Sequence, residues 1–346
     1  MKAAILRAPG RFQIEDIPKP DLKSPSDVLL KMKAVGICGS DLHYLRQGKI
    51  GDQIIDYPWI AGHECAAEVE AVGSRVTKVK VGDPIVIDPN IPCGHCSQCK
   101  NDREHTCLNG RFLGCPGQLQ GCMTEYLVMP ESCCFLVDNQ LDFSMAVLIE
   151  PMSIGLYATG MSREKISDAA ILGAGPIGLC TLLALKENQT KSLFLTDKIN
   201  ARLRFARKLG VSWIGNPEET DVVKSVLNIN PDGLDAVFEC CGDQEALDQS
   251  IDLLKPGGTL FIIGIPETRQ IAFDISKLRR KEIAIRNVRR QNNCIPRAIQ
   301  WIRENRFGIH QLITHRFPLD KAQKAFELVS GYSDNVIKAV IEINKE

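Results

Sequence analysis

Four cysteines set the first chemical constraint. Cys93, Cys96 and Cys99 follow one another with two residues between each, and Cys107 comes eight residues later. Four thiolates close a tetrahedral zinc and leave no open coordination position, so this set reads as a structural site tying down a loop of about residues 89–110. His95 lies inside the loop and is a conceivable donor, but four sulfurs suffice. The chain carries 14 cysteines in 346 residues. A chain of that length needs no disulfide scaffold, and clustered thiols in a reducing compartment suit a metal better than bridges. Cys65, Cys115, Cys122, Cys133, Cys134, Cys180 and Cys294 read as small core or loop residues.

A second set is dispersed. Cys38 stands in Gly36-Ile37-Cys38-Gly39-Ser40-Asp41-Leu42-His43, His63 and Glu64 follow Gly62, and Glu150 precedes Pro151. A Cys, a His and a carboxylate can hold a zinc with its fourth position left for substrate. Spacing alone does not join them, because Cys38 and His63 are 25 residues apart. The third feature is Gly173-Ala174-Gly175-Pro176-Ile177-Gly178, which fits G-x-G-x-x-G. Its first glycine suits a tight turn, its second lets the backbone approach a pyrophosphate, and its third permits close helix–strand packing. Asp197, 19 residues beyond Gly178, would accept hydrogen bonds from the ribose hydroxyls and so favours NAD over NADP, with Lys198 and Arg202 close by in sequence.

These residues need elements to position them. Residues 1 to about 150 read as β-rich, with short β-branched runs at 27–32, 66–72 and 83–88 between Gly, Pro and Asp. Beyond Pro151 the texture changes. An apolar strand at 169–172 runs into the glycine loop, and an apolar helix follows. A strand at 192–196, a helix at 201–209 and strands at 235–238, 259–265 and 283–288 continue the alternation. That is the pattern of βαβ units and a parallel sheet. Helices at 295–304 and 319–328 and a strand at 336–343 close the chain. About two domains are expected at roughly 150 residues each.

Composition excludes other classes. The chain is 44% hydrophobic and 24% charged, with 42 basic and 42 acidic residues. The first figures argue against disorder, and the charge balance removes the basic footprint of a nucleic-acid or anionic-membrane binder. No apolar run reaches membrane-spanning length, and the start is too short for a signal peptide, so a cytoplasmic protein is expected.

Gly62-His63-Glu64 with Gly73 and Val76 resembles the zinc signature of the medium-chain zinc-dependent alcohol dehydrogenases, and the resemblance runs end to end. Gly39-Ser40-Asp41-Leu42-His43-Tyr44, the Glu150-Pro151 junction, His315 to Leu319, and Arg290 with Asn292 and Asn293 are similar to the sorbitol (polyol, L-iditol 2-) dehydrogenase branch. Two positions depart from the pattern: Ala67 replaces a signature Gly, and Gln291 stands where many polyol dehydrogenases carry Tyr.

The resemblance implies an α/β protein. A GroES-like β-barrel of residues 1–149 and 287–346 would carry the catalytic zinc and the structural zinc lobe. A doubly wound Rossmann domain of residues 150–286 would bind NAD through Gly173, Gly175, Pro176, Ile177, Gly178, Asp197, Lys198 and Arg202, and the active site would lie in the cleft between the two. Two zincs per subunit are implied: one on Cys93, Cys96, Cys99 and Cys107, the other on Cys38, His63 and Glu64 or Glu150. A proton relay from Ser40 through the nicotinamide ribose to His43 is implied as well, with Tyr44 lining the pocket; Arg290 would hydrogen-bond a polyol hydroxyl or hold the zinc water network, or grip a carboxylate or phosphate of the substrate with its fork.

The activity implied is NAD-dependent oxidation of a secondary alcohol of a polyol to a ketose, by a homodimer or homotetramer. L-threonine, 2,3-butanediol and sugar-acid dehydrogenases are the enzymatic alternatives, and a zinc-stabilised nucleotide-binding sensor is the non-enzymatic one. Plainer roles exist for single residues. Ser40 could cap a helix, Glu150 could open one, Cys38 could be a core thiol, His43 a loop histidine, and Arg289-Arg290 a solvated charge cluster. Glu239-Cys240-Cys241-Gly242 reads as backbone lining near the nicotinamide, since vicinal cysteines bridge poorly.

Overall fold

A computed structural model describes residues 1–344. The chain forms two compact units: Met1–Pro151 together with the stretch from Asn292 onward, and Met152–Gln291.

The first unit is built on a seven-stranded sheet. Its strand order runs Cys134–Leu136, Pro84–Ile87, Glu64–Val72, Asp27–Gly36, Lys338–Glu342 and Ile313–Pro318, and Tyr126–Pro130 also pairs with Asp27–Gly36. Asp27–Gly36 is central because it is apolar on both faces: Val28, Leu30 and Met32 are wholly buried, and so is Val35. A smaller sheet of Arg11–Asp16, Lys2–Ala8 and Trp59–Ile60 packs Leu6 and Phe12 into the same core as Ile85, Phe326 and Ile341. Two registers matter for the site. Gly36 stands opposite Glu64 on one side and opposite Val340 on the other, so the first unit's last strand lies beside segments some 300 residues earlier.

The second unit is a six-stranded parallel sheet, in the order Trp213–Gly215, Ser192–Thr196, Asp168–Leu172, Leu234–Glu239, Leu254–Ile262 and Ala284–Asn287. Chain order reverses between Asp168–Leu172 and Leu234–Glu239, the switch point at which such sheets bind ligands beyond their carboxyl edge. Ala169 to Leu172 are all buried, as expected of a strand covered on both faces. Helix Pro176–Glu187 starts on Pro176, whose fixed φ suits a first helical position, and buries everything from Gly178 to Leu185.

Several boundaries differ from the sequence expectations. The strand expected at 259–265 begins at Leu254 and ends at Ile262. The helix expected at 319–328 is a 3-10 turn, Leu319–Lys321, followed by Ala322–Ser330. Strand Trp213–Gly215 and helices Val222–Ile229 and Gln244–Leu253 were not anticipated. Ser40 does not cap a helix. The extended backbone of Cys38 (φ −91°, ψ 156°) takes the capping position of Gly39–Gln47, and the Asp41 carboxylate accepts the Cys38 amide at 3.0 Å. Among the described residues no helix is long and apolar enough to cross a membrane.

Candidate functional site

The strand Asp27–Gly36 ends just before Cys38, and its pairing with Glu64–Val72 sets Gly36 opposite Glu64. That register gathers one ligand atom each of Cys38, His63 and Glu64 within 4.8 Å of one another, with His63 and Glu64 buried. Asp41, itself buried, lies beneath them. Its Oδ1 is 3.7 Å from His63 Nδ1 and accepts the Gly62 amide at 3.3 Å. A carboxylate on Nδ1 orients the ring and leaves Nε2 as the nitrogen for a metal.

Burial alone would lower the His63 pKa, but the Cys38 thiolate and the Asp41 carboxylate outweigh it and raise it well above the ordinary value. With Cys38, Asp41 and Glu64 gathered around the ring, the pocket suits a cation. Thiolate, imidazole and carboxylate also match the donor preferences of zinc, so the residues fit the metal that the sequence implied.

Glu150 stands in the first turn of helix Ile149–Gly160 and is buried. Burial pushes its carboxyl up to about 7, with Glu64 adding to the rise and His63 opposing it. It therefore sits in the electrostatic reach of the site, while the converging set among the described residues contains Glu64 and not Glu150. Ser40 and His43 are half-buried in the helix that Cys38 caps. Tyr44, on the same helix, is buried in the core of the first unit and donates to Gln53 Oε1 at 3.2 Å. Arg290 belongs to the second unit and has a left-handed backbone (φ 54°), next to buried Gln291.

Two residues of the site escaped sequence reasoning. Asp41 was legible only as part of a motif, although a carboxylate three residues after Cys38 at a helix start is a capping pattern. Lys338 is the other. It is 1% exposed, its ammonium forms an ion pair with Glu64, and it donates to the Ile37 carbonyl at 3.0 Å. Burial lowers its pKa, yet Glu64 and Cys38 raise it by more, so it is held charged. The available signal was a lone lysine inside the apolar run Val336-Ile337-Lys338-Ala339-Val340.

The four-cysteine lobe also closes. The sulfurs of Cys93, Cys96, Cys99 and Cys107 lie within 4.8 Å of one another. Cys96 Sγ is 3.5 Å from Cys99 Sγ and 3.8 Å from Cys107 Sγ. The amides of Cys99 and Leu108 hold the Cys96 thiol down at about 6, whereas desolvation and neighbouring thiols push Cys99 up to about 12. Amides aimed at sulfur favour thiolate, the form a metal requires. His95 is exposed and its Nδ1 meets the Cys93 carbonyl at 2.8 Å, so it stands apart from the four sulfurs.

In the second unit the glycine loop has the shape a pyrophosphate needs. Gly173 has φ +103°, and a Cβ at Gly178 would sit 1.8 Å from the Gly173 carbonyl oxygen. A Cβ at Gly175 would meet only Arg202 Nη1, at 3.8 Å, so the space over Gly175 is open. Pro176 and Ile177 form the first turn of the following helix, whose N-terminus presents amides and positive dipole. Asp197 directly follows the neighbouring strand, Ser192–Thr196. Its Oδ2 accepts the Ala174 amide and its Oδ1 the Ile199 amide, both at 2.7 Å, which locks the carboxylate beside the loop. Arg202 Nη1 is 3.8 Å from Asp197 Oδ2, whereas Lys198 turns to Asp243 at 3.6 Å. At the switch point, wholly buried Glu239 accepts the amides of Cys241 (2.7 Å) and Gly242 (2.6 Å) and fixes the loop that starts with Cys240.

Residues 24–139 match the family model for the alcohol dehydrogenase GroES-like domain, and residues 176–304 that for zinc-binding dehydrogenase. Sorbitol dehydrogenase of Bacillus subtilis (strain 168) is 34% identical over 347 aligned residues, covering 100% of this chain and 98% of the relative. Among solved structures, an oxidoreductase/dehydrogenase of unknown specificity from Escherichia coli superposes with a TM-score of 0.91 at 33% identity, covering 99% of both chains. A zinc-binding dehydrogenase from Sinorhizobium meliloti 1021, bound to NADP, gives 0.89 at 29% identity over 99% and 98% of the two chains.

Proposed function

The chain belongs to the medium-chain zinc-dependent alcohol dehydrogenase family, and on that premise we propose that it oxidises a secondary alcohol of a polyol to a ketose with NAD as hydride acceptor. The observation that carries this reading is the buried convergence of Cys38, His63 and Glu64 in the first unit. Three protein donors leave one position for a substrate oxygen, whereas the four-cysteine lobe offers none and is assigned to structure.

In this reading a zinc ion on Cys38, His63 and Glu64 supplies Lewis acidity to the substrate hydroxyl, and NAD supplies the hydride acceptor. The chain's own residues do the rest. Asp41 holds the His63 ring in its working tautomer. Lys338 holds Glu64. Glu150, buried near the site, is assigned to exchange a proton or a ligand position there. Ser40 would accept the proton leaving the substrate hydroxyl, and His43 would hand it on to water, imidazole being the side chain that exchanges protons near neutral pH. Arg290 is assigned to hydroxyl recognition.

For the cofactor, Gly173, Gly175, Pro176, Ile177 and Gly178 cradle the pyrophosphate, and Asp197 binds the ribose hydroxyls. A 2′-phosphate would face the fixed Asp197 carboxylate, which favours NAD, and Arg202 and Lys198 temper that preference. The reading includes two zincs per subunit, a homo-oligomer, and a cytoplasmic location, the last supported by a thiol cluster that suits reducing surroundings.

The experiment is NAD and NADP reduction across sorbitol, xylitol, L-iditol, galactitol, L-threonine, 2,3-butanediol and aldonates, each with and without a strong chelator. Chelator-sensitive turnover on a polyol with NAD is expected. Turnover on threonine or aldonates alone would keep the chemistry and move the substrate to an acid. Silence with metal and NAD demonstrably bound would sink the enzymatic reading.

A further inference from the structure

We propose that Lys338 is a built-in stand-in cation: it pairs with Glu64 and holds it in place when the metal is absent, so that the Cys38–His63–Glu64 site is preformed. The inference rests on reading that site as a metal centre. Lys338 opens the strand Lys338–Glu342, 1% exposed, in an ion pair with a carboxylate that is also 1% exposed. Lysine is almost never fully buried unless paired, and a buried pair is not retained for stability, because apolar residues of similar volume serve as well or better. This pair is placed where its anion belongs to a convergent donor set. The fold makes room for it: a Cβ on Gly36 would fall 2.2 Å from Glu64 Oε2 and 3.0 Å from Lys338 Cε. The ammonium is anchored at its far side by the Ile37 carbonyl, one residue before Cys38.

The electrostatic consequence has a definite sign. Without metal, Lys338 is the cation that directly pairs the buried Glu64 carboxylate. With a divalent ion bound, Glu64 has two cations, and Lys338 also repels the ion. Removing the lysine therefore harms the metal-free protein more than the loaded one, and by linkage the apparent metal affinity rises. A lysine that merely packed the strand would harm both states alike.

The test uses the full chain as wild type, Lys338→Met, Lys338→Arg and Glu64→Gln/Lys338→Met. Zinc content, chelator-competition affinity, and unfolding midpoints are measured with and without zinc. In Lys338→Met the metal-free midpoint should fall by roughly 5–10 °C. The zinc-loaded midpoint should fall by less than half as much, and the zinc dissociation constant should drop about tenfold. Lys338→Arg should stay near wild type on each reading. The double variant should recover most of the lost metal-free midpoint, because no uncompensated charge remains; this arm decides the matter if the single variant does not accumulate. Equal losses with and without zinc, or a double variant as unstable as the single, would overturn the proposal. A wild type that takes up one zinc per chain with the four-cysteine lobe intact would instead sink the metal reading beneath it.

Discussion

Replacing Gly175 and Gly178 in turn by Ala separates the two roles of the glycine loop. Gly175 has φ −68° and ψ 179°, a conformation open to any residue, and its added Cβ would find Arg202 Nη1 at 3.8 Å and nothing nearer. In the free protein, lower chain entropy in the unfolded state gains about 0.4–1 kcal/mol, and the poorer helix cap loses a similar amount. Stability should therefore stay within about 0.5 kcal/mol of wild type. The methyl group fills the space where a pyrophosphate would touch the backbone. Losing one charge-assisted amide contact is worth about 1.5–3 kcal/mol, or roughly a 10- to 100-fold weaker NAD Kd.

Gly178 behaves oppositely. In a helix interior Gly→Ala ordinarily gains about 1 kcal/mol. Here the new Cβ would lie 1.8 Å from the Gly173 carbonyl oxygen and 3.3 Å from Ile171, so overpacking should reverse the sign and cost about 1–3 kcal/mol. Urea unfolding gives the stabilities and calorimetric titration gives the NAD affinity. Wild-type NAD affinity in Gly175→Ala would refute the placement of the pyrophosphate. Unchanged stability in Gly178→Ala would refute the packing argument.

Three further outcomes are expected. Asp41→Asn removes the charge beside His63 Nδ1, and zinc affinity at that site, read by chelator competition, should weaken about 10- to 100-fold with the four-cysteine zinc retained. Cys96→Ser should lower zinc content by one equivalent and open the loop of residues 89–110 to protease, which mass spectrometry of the nicked chain would locate. Asp235 is opposed by burial, but the Lys255 ammonium and the amides of Asp168 and Ser167 bring its pKa below the ordinary 3.8. The folded value being depressed, its contribution is present above about pH 4 and is lost as pH falls through that lowered value. Asp235→Asn should cost about 1 kcal/mol at pH 7 and flatten the acid limb of the stability profile below about pH 4.

The chemistry of this protein was written in short-range patterns. The four cysteines, the glycine loop and Asp197 were legible because each role proposed for them fixes residue types at short, set spacings. A thiolate cage needs close cysteines, and a pyrophosphate turn needs glycines at fixed steps. The parallel sheet was legible too, since strands buried on both faces read as apolar runs between helices. Helices Val222–Ile229 and Gln244–Leu253 each start on an aspartate cap, Asp221 and Asp243, but a single capping residue is too weak a local signal to mark a helix.

What stayed hidden depended on contacts between distant segments. Nothing local joins Cys38 to His63; the pairing of Gly36 with Glu64 does so. The choice between Glu64 and Glu150 as the converging carboxylate came from the same register and from a buried lysine some 270 residues away in the chain. Cross-strand register is a long-range property set by the packing of the whole sheet, and a one-residue slip turns every side chain to the other face. Residue types and their order set which ligands were available here, and the tertiary structure decided which of them meet, how they are oriented, and which charge stands behind them.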